Sequence, residues 1–236
     1  MGVELAAHGR WYNGTEEHRG VRFRRVTTCL NMIAKPQLDA WKEKQVWAAV
    51  DSILSTSPGR GPGWLEAAKQ TIKQESDARR ESAANFGTTA HELLAQTTAT
   101  QALALTDDPE MQGVLSAWSE WYNQGKYIIG GAEMTVFHPE LKIAGTIDWV
   151  GYDQQGRVVI GDYKTGGVWP EAAYQLAAYA YMLMGTEYEV DRAIAIHLDR
   201  DGTFKEYEVK DLYGQPQQIF LATALLANAD KSPWTE

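Results

Sequence analysis

Val158-Val159-Ile160-Gly161-Asp162-Tyr163-Lys164 is an apolar run that ends in an acid, an aromatic and a base. As a strand it alternates faces, so Asp162 and Lys164 point the same way about 7 Å apart, an oxygen ligand beside a cation. Upstream, Gly145-Thr146-Ile147-Asp148-Trp149-Val150-Gly151 is a second strand with one carboxylate inside an apolar stretch. The link Asp153-Gln154-Gln155-Gly156 suits a three-residue hairpin loop, Gln154 to Gly156, with Gly156 in the left-handed conformation. That loop pairs Tyr152 with Val158 and sets Asp148 opposite Asp162, with Ile147, Trp149 and Tyr163 on the other face; a two-residue loop would invert the relation. Two carboxylates facing each other repel, and a divalent cation removes that cost. A short Asp-x-Lys string alone reads first as a surface ion pair. Its neighbours carry it further: the second acidic strand, then Thr165-Gly166-Gly167 leading into a helix with Gln175 and Tyr179 four apart on one face.

Five ordered elements extend the pattern: His91 in Gly87-Thr88-Thr89-Ala90-His91, Glu133 opening a strand, Gly145 to Asp148, Asp162 to Gly166, and Tyr174-Gln175-Leu176-Ala177-Ala178-Tyr179-Ala180. Together they resemble the PD-(D/E)XK nuclease superfamily, and within it the RecB-like branch. Arg25-Val26-Thr27-Thr28-Cys29-Leu30 followed by Leu38-Asp39-Ala40-Trp41 looks, more loosely, like the opening of the phage and mitochondrial single-strand exonucleases of that branch. The resemblance implies catalytic roles for Asp148, Asp162, Lys164, Glu133, Gln175 and Tyr179. It also implies a magnesium or manganese ion on His91, Asp148, Asp162 and the carbonyl of Tyr163, with imidazole favouring manganese. Arg22, Arg24, Arg25, Thr28 and Tyr179 would contact nucleic acid. On this reading Lys164 orients or deprotonates the attacking water and offsets charge on phosphorus. Bland alternatives stand beside each role: a satisfied surface histidine at 91, a solvated carboxylate at 133, and an amphipathic core helix around Gln175 and Tyr179.

Composition narrows the class. The chain has 236 residues, 44% hydrophobic and 22% charged, enough for a sizeable core in an ordinary globular protein. No run approaches the roughly 18 apolar residues of a membrane span, and the first residues lack a leader's apolar segment, so an intracellular protein with no membrane partner is expected. Cys29 is the only cysteine, which excludes an internal disulfide and a four-cysteine iron-sulfur cluster. The net charge of -9 argues against a broad electrostatic footprint on duplex nucleic acid. Positive charge is nonetheless clustered, at Arg19, Arg22, Arg24 and Arg25, at Lys42 and Lys44, and at Arg79-Arg80; a solvated face is the plain reading of each. In the first cluster Val21 and Phe23 alternate with Arg22 and Arg24, as on a two-faced strand.

Along the chain, residues 1 to about 26 read as an arm or hairpin with an Asn13-Gly14 turn, and 27 to about 55 as helical. Ser57 to Gly63 reads as a loop, Trp64 to about Ala84 as a helix broken by Gly87 before the His91 helix, and Pro109 to Gln124 as another. From Tyr127 the order becomes three strands, a helix (about 170 to 184), two strands (190 to 198, 203 to 209) and a last helix (211 to 229). The expected fold is α/β (α+β): a central mixed sheet flanked by helices, with a helical N-terminal half. Residues 1–126 would form the arm and substrate channel, which in the resembling exonucleases is an arch that admits a single strand, and 127–236 the nuclease core, all in one compact domain. The nine Trp read first as core, Trp41, Trp47, Trp118 and Trp121 above all, and secondly as stacking platforms for bases. The leading function is a metal-dependent deoxyribonuclease acting as an exonuclease on single-stranded DNA ends. An endonuclease of the same fold on branched or duplex DNA, and a non-catalytic nucleic-acid-binding module, remain as alternatives.

Overall fold

The computed structural model describes residues 7–8, 11–13, 20–56 and 63–229. Gly14 of the turn signal, Arg19 and positions 57–62 of the expected loop lie outside them. By internal contacts the chain divides into two units, residues 1–33 with 90–236, and residues 34–89.

The larger unit holds the sheet. Strands β1 (Ala7–His8), β2 (Trp11–Asn13) and β3 (Arg22–Arg25) lead into α1 (Val26–Cys29) and a single 3-10 turn, Leu30–Met32. After α4 (Pro109–Tyr122) come β4 (Tyr127–His138), β5 (Ile143–Asp153), β6 (Val158–Lys164), α5 (Pro170–Met182), β7 (Arg192–Leu198), β8 (Phe204–Glu208) and α6 (Gln215–Asn228). One eight-stranded sheet runs β1-β2-β3-β5-β6-β7-β8, with β4 paired to β5. The β3–β5 and β6–β7 pairs are parallel, the others antiparallel. This is the mixed central sheet with flanking helices expected from the sequence. It includes strands from the first 25 residues, which the division at 126/127 placed on the other side.

The two faces of the sheet carry different cores. Under α5 and α6 lie Val150, Ile160, Leu176, Ala177 and Phe220. On the other face α4 packs Trp121 against Tyr127 (stacked), Trp149 (tilted) and Tyr163 (edge-on), with ring centroids 5.4 to 5.9 Å apart. Pro109 starts α4 because Asp108 caps it, accepting from the backbone N–H of Glu110 at 2.9 Å.

Helix boundaries differ from the sequence reading in two places. The expected helix from 27 to 55 is interrupted: Ile33 is extended, with ψ 136°, and α2 begins only at Pro36, running Pro36–Thr56. Proline disfavours helical conformation in the residue before it, which stops the first helix short. Conversely, Gly87 breaks nothing, and α3 runs uninterrupted over Trp64–Thr100. One helical glycine costs about 1 kcal/mol, which the helix-forming residues on either side outweigh. In the 34–89 unit Ala49, Ile53 and Ala68 are buried, whereas Trp47, expected in the core, is 59% exposed.

The β5–β6 hairpin has the register read from sequence. Tyr152 pairs with Val158, Gly151 with Val159, Val150 with Ile160 and Trp149 with Gly161. Gly156 has φ +77°, and the backbone bond from Asp153 N to Arg157 O leaves Gln154 to Gly156 as the loop. Trp149 and Tyr163 face α4, as expected. Ile147 does not: it belongs to the core under α5. The alternation changes phase at Asp148; opposite it on β4 the pairing passes from Ala132↔Trp149 to Met134↔Ile147, and Glu133 between them has φ +53°.

Asp153 ties this hairpin down. Its carboxylate accepts from the backbone N–H groups of Gln155 and Arg157 and from the guanidinium groups of Arg157 and Arg192. Burial alone would raise its pKa, but these bonds outweigh it and bring the carboxyl down to about 2. With a folded pKa below the unfolded value of about 3.9, the stabilisation is fully present above about pH 4 and is lost as pH falls toward 2. Asp153→Ala should therefore lower the melting temperature by several degrees at pH 7. Thermal melts as a function of pH check this: the gap between variant and parent should close on acidification across that window.

Candidate active site

The site is built where β5 and β6 part. One edge of β5 is taken by β4 along its length. The other edge pairs with β6 at Trp149 to Tyr152 and with β3 at Ile143 and Ala144, so Gly145 to Asp148 faces the gap between them. Inside that gap Tyr163 donates its backbone N–H to Asp148 Oδ2 at 2.6 Å. The carboxylate takes the place of a strand carbonyl that divergence has removed.

Asp162, on the α5 face, is 1% exposed. Lys164 Nζ stands 2.6 Å from Asp162 Oδ2, an ion contact, though no bond of hydrogen-bond geometry reaches that buried oxygen. Gln175 bridges the set: its Nε2 donates to Asp162 Oδ1 at 2.9 Å and to Tyr179 Oη at 3.1 Å, while its Oε1 accepts from Lys164 at 3.4 Å. Thus the i, i+4 pair on α5 fastens the acid and the base of β6 together. His91, on α3, places Nδ1 3.4 Å from Asp148 Oδ2.

A pocket of about 230 Å³ opens over this arrangement, lined by His91, Glu133, Asp148, Gln175 and Tyr179 together with Gly145 and Thr146 of β5. Tyr12 and Arg25 from β2 and β3, with Val26 and Thr27 from α1, complete the wall. Tyr12 was not singled out in the sequence. It bonds Thr146 Oγ1 at 3.0 Å and carries the Arg25 guanidinium over its ring at 5.2 Å. No local pattern reveals this, since β2 meets Thr146 through 134 residues of intervening chain.

Three residues expected to contact nucleic acid are not in the pocket wall. Arg22 and Arg24 lie on the β3 face opposite Phe23, and Arg24 donates to Asn228 of α6 at 3.1 Å. Strand alternation sends Arg25 to the site with Tyr12 and turns the other two away. In α1 it is Thr27, not Thr28, that lines the pocket.

Electrostatics separate the two acids. Burial, then the nearby Asp162 charge, push Asp148 well above the ordinary carboxylate range. Burial pulls the Lys164 ammonium down, but Asp162 and Asp148 outweigh it and the net shift is upward, so the lysine is held charged. Burial, then Lys164, lower His91, which keeps the imidazole neutral with a lone pair free at neutral pH. Burial raises Glu133.

Oxygen and neutral nitrogen donors of this kind suit a hard or borderline divalent cation, and the buried Asp162 oxygen without a hydrogen bond is a place for one. Among the described residues no three His, Cys, Asp or Glu side chains are yet gathered as a metal-holding group. The reason is visible: Lys164 sits on the acid that an ion would share, and would have to yield that contact.

These charges predict opposite effects of two similar substitutions. Asp148→Asn removes a buried charge while keeping an oxygen for the Tyr163 N–H, and should raise the melting temperature of the cation-free protein. Asp162→Asn strips Lys164 of its ion partner and should lower it, with a loss of stability of about 1–3 kcal/mol since the lysine is partly exposed. Calorimetry in the presence of chelator tests both signs, and equal shifts would contradict this charge arrangement.

Comparison with known proteins agrees with the geometry. No curated protein matches the chain. A solved structure titled "Crystal structure of SSO0001" is similar at 12% identity, over 80% of this chain and 87% of that one, with a TM-score of 0.35. A family model described as the PD-(D/E)XK nuclease superfamily matches residues 63–231. That match spans His91, both aspartates, Lys164, Gln175 and Tyr179, and the chain belongs to the PD-(D/E)XK nuclease superfamily.

Proposed function

We propose that the protein is a metal-dependent deoxyribonuclease of the RecB-like branch, acting as an exonuclease on single-stranded DNA ends. The observation that most supports it is the bridging of Asp162 and Lys164 by Gln175 beside the Asp148 gap. Asp162 and a charged Lys164 are fixed together by Gln175 of α5, and Gln175 and Asp148 line the pocket beside them. A purely structural ion pair does not require that opening.

His91, Asp148, Asp162 and the Tyr163 carbonyl are the groups that would hold a magnesium or manganese ion. Bound there, the ion supplies Lewis acidity toward the phosphate and the attacking water. The chain's own groups do the rest. Lys164, held as an ammonium, orients the water and offsets negative charge gathering on the phosphoryl oxygens. Gln175 keeps that ammonium and the Asp162 carboxylate in register, and Tyr179 anchors Gln175. Arg25, stacked on Tyr12, and Thr27 receive a backbone phosphate, while Glu133 stands at the pocket wall to orient water. In-line attack forms a P–O bond from water and breaks the one to the leaving nucleotide, leaving phosphate on one fragment and a hydroxyl on the other. The N-terminal helices are expected to guide the strand.

Linear and circular single-stranded DNA incubated with magnesium, manganese or chelator test this reading. The linear strand should be degraded only with cation and the circle should survive. Circles opened to linear strands would replace the exonuclease by an endonuclease, and binding without cleavage of either would leave a nucleic-acid-binding module. Lys164→Ala should retain the parent's circular dichroism and lose at least about 100-fold in turnover. A rate close to the parent's would remove Lys164 from the chemistry.

A further inference from the structure

A second cavity, of about 260 Å³, lies on the same face of the sheet, beyond the start of α5. It is lined by Val168, Trp169, Ala172, Ala195, Tyr207 and Val209, among others, and the nuclease site leaves it unassigned. Strand register connects the two places. Asp162 pairs with Ala195 on β7, and Ala195 pairs with Tyr207 on β8, so Tyr207 lies two strands from the catalytic acid, about 10 Å along one row.

We propose that Trp169 and Tyr207 form a stacking slot for one unpaired nucleobase of the substrate strand, close to the bond that is cut. The inference rests on the nuclease reading and adds to it a base subsite.

Four observations support this occupant. Both rings are available, with Trp169 46% and Tyr207 38% exposed. Trp169 is also held in place: a Cβ added at Gly167 would meet its ring at 2.5 Å, so the indole lies against bare backbone. Between Lys164 and Trp169 the chain runs through Gly166 and Gly167, both exposed, and a Cβ at Gly166 would meet nothing. At these two positions no side chain stands between the lysine and the indole, and glycine lets a ligand approach the backbone closely. Finally, the charges suit a polyanion. Lys205 lies over the Tyr207 ring at 5.0 Å, whereas the one acid in the lining, Glu208, is paired with Arg192 at 2.7 Å. Aromatic faces with a nearby cation recognise unstacked bases irrespective of sequence.

The test uses the full chain and a set of single-stranded oligonucleotides, each with one abasic nucleotide at a successive position. For the parent, one position near the cut should raise KM about tenfold, the others little. Trp169→Ala should raise KM on the ordinary strand by about as much, with the loss carried by KM rather than kcat, and should be indifferent to that abasic position. Gly167→Ala, which displaces the indole without removing it, should shift KM in the same direction, and Trp169→Phe should recover most of the loss. A parent insensitive to every abasic position, or a Trp169→Ala variant with the parent's KM, would overturn the slot. Fluorescence anisotropy of labelled strand with chelator present reads binding without cleavage. A parent that cuts nothing, yet binds and loses that binding in Trp169→Ala, would refute the nuclease and keep the slot.

Discussion

Tyr163 gives its backbone N–H to the Asp148 carboxylate at 2.6 Å, and the rest of the site follows from that bond. An unsatisfied buried N–H costs about 1–3 kcal/mol, so two strands cannot diverge inside a sheet unless something takes the orphaned groups. Here a side chain does. The same bond fixes the orientation of Asp148, holds the two strands at the right separation, and leaves Gly145 to Asp148 facing the space that becomes the pocket. Tyr163 is anchored from behind as well: its hydroxyl accepts from Trp118 Nε1 at 2.9 Å and bonds Thr98 Oγ1 at 3.1 Å. The residue between Asp162 and Lys164 is thereby held at its backbone in the gap and at its hydroxyl on the α4 side. Thr98 lies two turns along α3 from His91, so this clamp also sets the depth at which the histidine enters.

Charge at the site is arranged for work rather than for stability. Asp162 has a cation within contact; Asp148 has a peptide N–H and a neutral imidazole, and its raised pKa reports the shortfall. Two acids and one ammonium leave an excess of negative charge in a buried place, which a divalent cation would neutralise and which the protein without one must tolerate. In the proposed function that repulsion would be relieved when an ion binds. The hydrogen bonds of Gln175 prevent the alternative, in which Lys164 swings freely between the two carboxylates.

Much of this was legible in the sequence because it is local. The hairpin register follows from a three-residue loop ending in glycine, and the pairing of Asp162 with Lys164, like that of Gln175 with Tyr179, follows from the periods of strand and helix. What was illegible depends on distant partners. Nothing near Tyr12 indicates that it will meet Thr146, and nothing in Arg22 to Arg25 says which side of β3 faces a pocket until β3 is docked on β5. The change of phase at Asp148 lies opposite Glu133, whose φ is positive, in a neighbouring strand, and an alternating pattern read on β5 alone carries Ile147 to the wrong face. Gly87 misled for another reason. Its intrinsic cost is small beside the summed propensity of a 37-residue helix, so a single breaker without proline was too weak a signal.

A chain of net charge -9 has little to gain from counterion release along an extended duplex, since that term grows with the number of phosphates neutralised. Its cationic groups near the site are few and individually placed: Arg25 on a tyrosine ring, Lys164 on a carboxylate, Lys205 on a second tyrosine. Each is held by a partner before any phosphate arrives, which lowers the entropy lost on binding but limits how many phosphates can be met. Affinity for a polyanion under these conditions has to come from contacts that net charge does not oppose, and stacking of unpaired bases on aromatic faces is the available kind. A base is free to stack only where it is not already paired. Under the proposed function, the acidity of the protein and a preference for single strands would be linked: the same charge balance that weakens a grip on duplex backbone leaves base stacking as the means of holding a strand.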